Sequence, residues 1–261
     1  MLYFPQFNPI ALKLGPLQIH WYGIMYLLGF VCAWGLASWR VKRLALDWNQ
    51  AQISDLIFYA AMGIIIGGRL GYIFFYDNFD FIHHPLKIIR IWEGGMSFHG
   101  GLIGSMIGLL LFAKHYHKNF VDVADFTAPL VPLGLAFGRF GNFINGELWG
   151  RATKMPWGMI FPEAGAVPRH PSQLYEMGLE GILLFTILFI YSLKPRPKAR
   201  PMALFLICYS VFRGCLEFFR EPDNQLGLFF NLFSMGQMLS LPMFFIGLYL
   251  WSYHAKLSAS T

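Results

Sequence analysis

Long apolar runs alternate with short polar connections along most of this chain. Seven runs can be distinguished, and they cover residues 19–38, 53–75, 96–113, 121–137, 172–193, 202–218 and 234–253. Because the runs are continuously apolar, without alternation of period two, they predict helices rather than barrel strands. A helix of about 20 apolar residues crosses the hydrocarbon core of a bilayer. The pattern therefore predicts an all-α polytopic membrane protein with seven transmembrane helices.

Glycines recur at helical spacing in the second and third runs. Gly67 and Gly71 form one G-x-x-x-G pattern, and Gly100, Gly104 and Gly108 extend another. Small-residue stripes of this kind let two helix backbones approach closely in lipid. We expect these glycines to pack helices together.

Lysines and arginines are concentrated in alternate connections. The short basic connections and the tail contain Arg40, Lys42, Arg43, Lys114, Lys118, Lys194, Arg196, Lys198, Arg200 and Lys256. Since basic loops are retained in the cytoplasm, the N-terminus is expected outside and the C-terminus inside. The outer side then holds an N-terminal arm (1–18), a loop (76–95) and a small folded head (138–171), all within one membrane domain spanning 1–261.

The composition agrees with this prediction. Only 13% of the residues are charged and 56% are hydrophobic, against roughly 25% charged in soluble domains. A soluble enzyme or a disordered chain is nearly excluded. The net charge of +6 is explained by basic flanks that meet anionic headgroups, so no nucleic-acid partner is expected. The three cysteines lack paired spacing and no H-E-x-x-H motif occurs, so no metal site is expected.

Several charged residues lie in or beside the apolar runs, where insertion of a charge costs about 2.5–3.5 kcal/mol at mid-membrane. They are Arg69, His99, Arg139, Glu176, Glu180, Arg213, Glu217 and Arg220. Arg213 and Glu217 are four apart and share a helix face. They form either a structural ion pair or part of an anion site, because arginine suits phosphate recognition.

The segment GRFGNFINGELWG (138–150) is the densest polar cluster. It offers Arg139, Asn142, Asn145 and Glu147 between glycines. A capped helix end followed by a turn explains one asparagine and one glycine, but not the whole set.

Other polar side chains carry weaker signals. His99 is either structural or a general base. Tyr22 and Tyr26 are four apart, so both can face one cavity from the first helix, although interfacial tyrosines are common in membrane proteins.

From these residues alone, three classes of protein remain open. A membrane enzyme and a transporter or channel for an anionic lipid or solute both suit intramembrane arginine and glutamate. The polar groups gather toward the outer face and no inverted repeat is visible, which counts against transport. A non-catalytic scaffold leaves the polar segment 138–150 unexplained.

Together the motifs closely resemble the bacterial prolipoprotein diacylglyceryl transferase family. The matching segments follow the family's order over nearly the whole chain and are HWYGIMY (20–26), GGRLGYIFFY (67–76), GGMSFHGGLIG (94–104), GRFGNFINGELWG (138–150), PRHPSQLYE (168–176), FRGCLEFFREPD (212–223) and SMGQMLSLPM (234–243). The long segment 138–150 is the most specific of them.

The resemblance implies a transferase of lipoprotein biosynthesis in the bacterial cytoplasmic (inner) membrane. Such enzymes move the diacylglyceryl group of phosphatidylglycerol to the lipobox cysteine of a prolipoprotein signal peptide. A thioether forms and glycerol phosphate leaves, in the first step of lipoprotein maturation. The family has seven spans, an outward N-terminus and a periplasmic head. No metal or organic cofactor is expected.

The resemblance also implies roles for individual residues. Arg139 is expected to bind the phosphate of phosphatidylglycerol, with Arg213 as a second essential cation and with Asn142 and Glu147 lining the headgroup site. Tyr22 matches a residue important for activity, as does His99, which we expect to accept the thiol proton. Arginine-assisted thiolate formation is the alternative to a histidine base. The expected supporting residues are Tyr26, Arg69, Asn145, His170, Glu217 and Arg220.

Overall fold

The computed structural model of this chain describes residues 2–15, 17–77, 80–91, 94–221 and 234–258. Helices dominate these residues, and they are α1 (Trp21–Leu44), α2 (Gln50–Phe75), α3 (Phe98–His115), α4 (Phe120–Thr127), α5 (Val131–Ile144), α6 (Ser172–Glu176), α7 (Leu184–Tyr191), α8 (Arg200–Leu216) and α9 (Met235–Ser258). A π-helical stretch, Met177–Leu183, joins α6 to α7, and short 3-10 turns cover Asp80–Ile82, Pro85–Ile89 and Pro162–Ala164.

Among the residues that the structure describes, three helical segments are long and apolar enough to cross a membrane. They are α1, α2 and the continuous helix Ser172–Tyr191, and the bent pair α4–α5 adds a fourth if it is one span. The chain is thus a mostly helical membrane protein. Each of the seven apolar runs overlaps a helix of the structure, while seven as the number of spans stays a prediction.

The run 121–137 does not form one straight helix. The helix α4 ends at Thr127, α5 begins at Val131, and the two are bent by 50°. Pro129 and Pro132 lie at this break; proline lacks the N–H that a continuous helix needs and disfavours helical geometry in the residue before it. The helix α5 then continues to Ile144.

The chain divides into two compact units, which are described separately. The smaller consists of Ala37–Ala124 and is called the α2–α3 unit; the larger consists of Met1–Leu36 together with Asp125–Thr261.

Glycines bring α2 and α3 into close contact within the smaller unit. A Cβ atom placed on Gly67 would lie 2.3 Å from the carbonyl oxygen of Gly100, and one on Gly104 would lie 2.0 Å from that of Gly63. Backbone atoms cannot yield as a side chain can, so only glycine permits this approach. The predicted packing role of the glycine stripes is confirmed.

In the larger unit, the N-terminal segment is tied to the segment that follows α5. The strand β1 (Leu2–Tyr3) pairs in parallel with β4 (Met159–Ile160), and β2 (Ile10–Leu14) forms an antiparallel hairpin with β3 (Leu17–His20) directly before α1. Phe4 packs against Phe143, Met159 and Phe161 in a small apolar core. This core anchors the start of the chain to the end of α5.

The helices of the larger unit also touch through small residues. A Cβ atom on Gly181, in the π-helical stretch, would lie 2.6 Å from the Cβ of Ala136 on α5, and one on Gly247 of α9 would lie 3.1 Å from the carbonyl oxygen of Ala203 on α8. Stretches of π-helix are frequent at functional sites. Here the stretch lies against α5 and presents the carboxylate of Glu180 to that helix.

Candidate functional site

Three arginines and three glutamates meet in the larger unit and form the arginine–glutamate cluster. Its members are Arg139, Glu176, Glu180, Arg213, Glu217 and Arg220. Arg139 Nε lies 2.6 Å from Glu176 Oε2, and Arg139 Nη2 lies 3.9 Å from Glu180 Oε2. The first distance is that of a charge-assisted hydrogen bond, whereas the second is a charge contact only.

Arg213 joins the same two carboxylates from α8. Its Nη1 lies 3.5 Å from Glu180 Oε1 and 3.7 Å from Glu176 Oε2. Its Nη2 contacts Glu217, the residue four positions later. Arg213 and Glu217 therefore form an ion pair, one of the two alternatives for their spacing, and this pair belongs to a larger network.

Arg220 completes the cluster from outside the helices. Its Nη1 lies 3.6 Å from Glu176 Oε1. Its backbone is held by a β-bridge to Gly150, and the N–H of Arg151 donates to the carbonyl oxygen of Phe219 at 2.9 Å. A side chain on Gly150 would meet that same carbonyl oxygen at 2.4 Å, so glycine is required for this close approach.

The carboxylates of the cluster are more deeply buried than the arginines. The side chains of Glu176 and Glu180 are 1% and 0% exposed, whereas that of Arg139 is 16% exposed. Buried charges are tolerated when they are paired, so each group offsets the desolvation cost of the others. Within the described part of the chain, Nη1 of Arg139 has no protein partner. This edge of the guanidinium can donate to an added anion.

The end of α5 and the tight turn after it bring two asparagine amides to one carboxylate. Asn142 Nδ2 donates to Glu147 Oε1 at 2.8 Å, and Asn145 Nδ2 lies 3.3 Å from the same oxygen. The turn needs positive φ at Gly146 (+67°). Gln173 Nε2 donates to the Glu147 carbonyl oxygen at 2.6 Å. The structure thus brings together the three predicted residues of this turn.

Tyr22 and Tyr26 lie one turn apart on α1, as the spacing predicted. Their hydroxyl oxygens are 3.4 Å apart and their ring centroids 5.1 Å apart. A side chain on Gly141 of α5 would meet the Tyr22 ring at 2.9 Å. The Tyr22 side chain also lies near Asn142 and Glu147, so it adjoins the turn after α5.

His170 belongs to an aromatic network at the start of α6. Its Nδ1 lies 3.1 Å from the hydroxyl oxygen of Tyr175, which also accepts a hydrogen bond from Trp157 Nε1 at 2.7 Å. The ring of His170 packs edge-on against Phe219. Burial lowers the pKa of His170 from its ordinary value. These contacts hold the segment that carries Arg220.

Arg69 lies in the α2–α3 unit and is buried. Its guanidinium donates to the backbone carbonyl oxygens of Lys87, Ile88, Gly94 and Gly95; those of Ile88 and Gly95 lie at 3.2 Å and 3.1 Å. All four acceptors belong to the connection between α2 and α3. Through these hydrogen bonds Arg69 supports that connection.

His99 lies in the first turn of α3, also in the α2–α3 unit, and its side chain is exposed. Ser97 caps this helix by accepting a hydrogen bond from the N–H of Gly100 at 3.2 Å. The ring of Phe98 lies edge-on to that of His99 at 5.6 Å. An exposed imidazole at a helix end is accessible to a proton donor.

Sequence reasoning left two central residues out of the expected site. Glu176 and Glu180 were recognised as charges at the start of an apolar run, but not as partners of Arg139 and Arg213. Their signal was the four-residue spacing of two carboxylates inside that run. Gly236 was also missed, although a Cβ atom there would lie 2.3 Å from Glu217 Oε1; a lone glycine beside a helix start gives no such signal.

Among the residues that the structure describes, no group of three or more His, Cys, Asp or Glu side chains is placed to hold a metal ion. The arginine–glutamate cluster offers cationic N–H donors instead, which suit an anionic group such as a phosphate.

The fold and the cluster define a class: a multi-pass helical membrane protein with buried, paired arginines among its helices. The chain belongs to the prolipoprotein diacylglyceryl transferase family, whose model matches residues 9–253. The resemblance seen in the motifs is therefore confirmed over nearly the full length.

Two relatives illustrate this membership. The chain is 60% identical over 252 residues to the phosphatidylglycerol–prolipoprotein diacylglyceryl transferase of Legionella pneumophila (strain Lens), covering 96% of this chain and 98% of that protein. It is 56% identical over 259 residues to the protein of the same name from Coxiella burnetii (strain RSA 331 / Henzerling II), covering 98% and 99%.

Proposed function

We propose that this chain transfers the diacylglyceryl group of phosphatidylglycerol to the lipobox cysteine of prolipoproteins, the first step of lipoprotein maturation. Family membership and full-length identity to enzymes of that name support the reaction. The single structural observation that supports it is the arginine–glutamate cluster, in which Arg139 keeps an N–H edge available to a phosphate.

The reaction requires cations near a phosphate and a route for a proton. The cysteine sulfur attacks the glycerol carbon that is bonded to a phosphate oxygen, so a C–S bond forms and the C–O bond breaks. The electron pair of that bond leaves with glycerol phosphate, whose phosphate gains negative charge. Arg139 and Arg213 stabilise this charge as it develops. Asn142 and Glu147 orient the headgroup by hydrogen bonds, with Tyr22 beside them.

We propose that His99 accepts the proton of the substrate thiol. Its support is the exposed imidazole at the start of α3, a side chain that can accept a proton. Thiolate formation assisted by an arginine is the alternative. A pH–rate profile distinguishes the two, because His99→Gln removes the acidic limb of the profile only if His99 is the base. A normal rate in His99→Gln would exclude this role.

The membrane arrangement forms part of the proposal. One integral domain (1–261) crosses the inner membrane seven times, with the N-terminus in the periplasm and the C-terminus in the cytoplasm. The arm (1–18), the loop (76–95) and the head (138–171) then face the periplasm, where lipobox cysteines are presented. The basic short connections support this orientation. Accessibility of single introduced cysteines to an impermeant thiol reagent in intact cells tests it.

The decisive experiment uses purified protein, phosphatidylglycerol and a lipobox peptide. The thioether-linked product is detected by its mass. Absence of product from folded native protein contradicts the proposal. Arg139→Ala and Arg139→Lys should both be inactive, because lysine has no planar fork for bidentate binding of phosphate. Lys154→Ala, which removes an exposed positive charge from the same segment, is the matched control and should be active.

A further inference from the structure

Charges balance inside the arginine–glutamate cluster. Three guanidinium groups face three carboxylates, and Glu176 contacts all three arginines: Arg139 at 2.6 Å, Arg220 at 3.6 Å and Arg213 at 3.7 Å. In their ionised forms the six groups carry no net charge. A phosphate therefore meets arginines that already have internal counter-ions.

These counter-ions do not use up the hydrogen-bonding capacity of Arg139. Glu176 Oε1 and Glu180 Oε2 are buried and accept no hydrogen bond within the described residues. Their contacts with Arg220 and Arg139, at 3.6 Å and 3.9 Å, are too long for hydrogen bonds. The two carboxylates thus supply negative charge, while Arg139 keeps an N–H edge for a ligand.

In the proposed reaction, this charge balance affects how tightly the substrate and the product are bound. The substrate is a phosphodiester with one negative charge, and the product is a phosphate monoester that carries close to two at neutral pH. Three arginines without counter-ions would hold the product more tightly than the substrate. A carboxylate beside the same arginines opposes the second negative charge more than the first, because like charges in a low dielectric repel strongly.

We propose that Glu176, assisted by Glu180, is an internal counter-charge that makes the site prefer a phosphodiester monoanion over a phosphate dianion and thereby releases glycerol phosphate. Glu176 is a positioning and specificity residue in this scheme, since it acts through the arginines. The inference rests on the proposed function. A purely structural role predicts only lower stability when Glu176 is changed, with no shift in preference between anions.

The native protein provides the first test. Transfer to a lipobox peptide is measured in mixed micelles, with soluble glycerol phosphate or glycerophosphoglycerol added as inhibitor. We expect the dianionic monoester to inhibit no more strongly than the monoanionic diester. Stronger inhibition by the monoester, by more than about threefold, overturns the inference because a cation site without counter-charge would show it.

Variants provide the second test. Glu176→Gln keeps the size and one acceptor but removes the charge, and it should lower the inhibition constant of glycerol phosphate at least about tenfold relative to that of the diester. The KM for phosphatidylglycerol should fall, and kcat should fall as product release slows. Glu180→Gln should shift the same ratio in the same direction. Glu163→Gln, an exposed carboxylate elsewhere in the larger unit, should leave it unchanged.

The possible results distinguish failure of the proposed function from failure of the proposed counter-charge role. Native protein that yields no thioether contradicts the proposed function. Active protein in which the glutamine variants fold, as judged by thermal unfolding, yet leave the inhibitor ratio unchanged contradicts the counter-charge alone. If the variants do not fold, the inhibitor comparison on native protein decides.

Discussion

The substitution Gly236→Ala tests how tightly the arginine–glutamate cluster is enclosed by α9. The added Cβ would lie 2.3 Å from Glu217 Oε1 and 3.1 Å from Arg213 Nε, whereas ordinary van der Waals contact begins at 3.4 Å. The carboxylate must therefore move by about 1.1 Å. Glu217 is buried and contacts Arg213, so this movement disturbs the ion pair on which the position of Arg213 depends.

Two opposing effects determine how much Gly236→Ala changes the free energy of unfolding. Replacing glycine by alanine in a helix stabilises it by about 0.5–1 kcal/mol. Overpacking costs about 1–3 kcal/mol, and a disturbed buried ion pair adds to that cost. We expect Gly236→Ala to lower the free energy of unfolding by about 1–2 kcal/mol and to reduce the transfer rate at least about tenfold through misplacement of Arg213.

The matched control is Gly214→Ala on α8. A Cβ atom at Gly214 meets nothing within 4 Å, so only the helix-propensity gain applies. Thermal unfolding in detergent and the thioether assay are measured on both variants. If Gly236→Ala is as stable and as active as Gly214→Ala, the inference that α9 closely encloses the arginine–glutamate cluster is refuted.

Three further predictions concern other parts of the molecule. Gly104→Ala should prevent folding because its Cβ would lie 2.0 Å from the backbone oxygen of Gly63. Gly101→Ala on the same helix has its nearest neighbour at 3.6 Å and should be tolerated. Equal yields of the two folded proteins would contradict this prediction. Because burial lowers the pKa of His170, the unfolded chain binds the proton more readily, so native stability should fall as pH decreases through about 6.5. Thermal unfolding between about pH 8 and pH 5 should show a weaker decline in His170→Gln, and parallel curves would argue against the assignment. Arg69→Lys keeps the charge but loses the planar fork, so hydrogen exchange in 80–91 should accelerate; unchanged protection would mean that the four carbonyl contacts do not hold this connection.

Local patterns in the sequence were sufficient to predict much of the fold. Apolar runs, glycine stripes and the segment 138–150 are properties of neighbouring residues, so they can be recognised without knowledge of tertiary contacts. The four-residue spacing of Tyr22 and Tyr26 likewise predicted that they share one face of the first helix. The break between α4 and α5 was missed although Pro129 marks it, because the hydrophobic pattern continues across the proline.

The partners of the charged residues could not be deduced in the same way. Arg139, Glu176 and Arg213 come from three separate helices, α5, α6 and α8, and only the packing of these helices brings them together. The sequence alone determined that this is a helical membrane protein of a recognisable family, because periodicity and motifs are local. Tertiary structure alone decided that its arginines are neutralised by buried glutamates, since the free energy of a buried charge depends on which groups surround it in space.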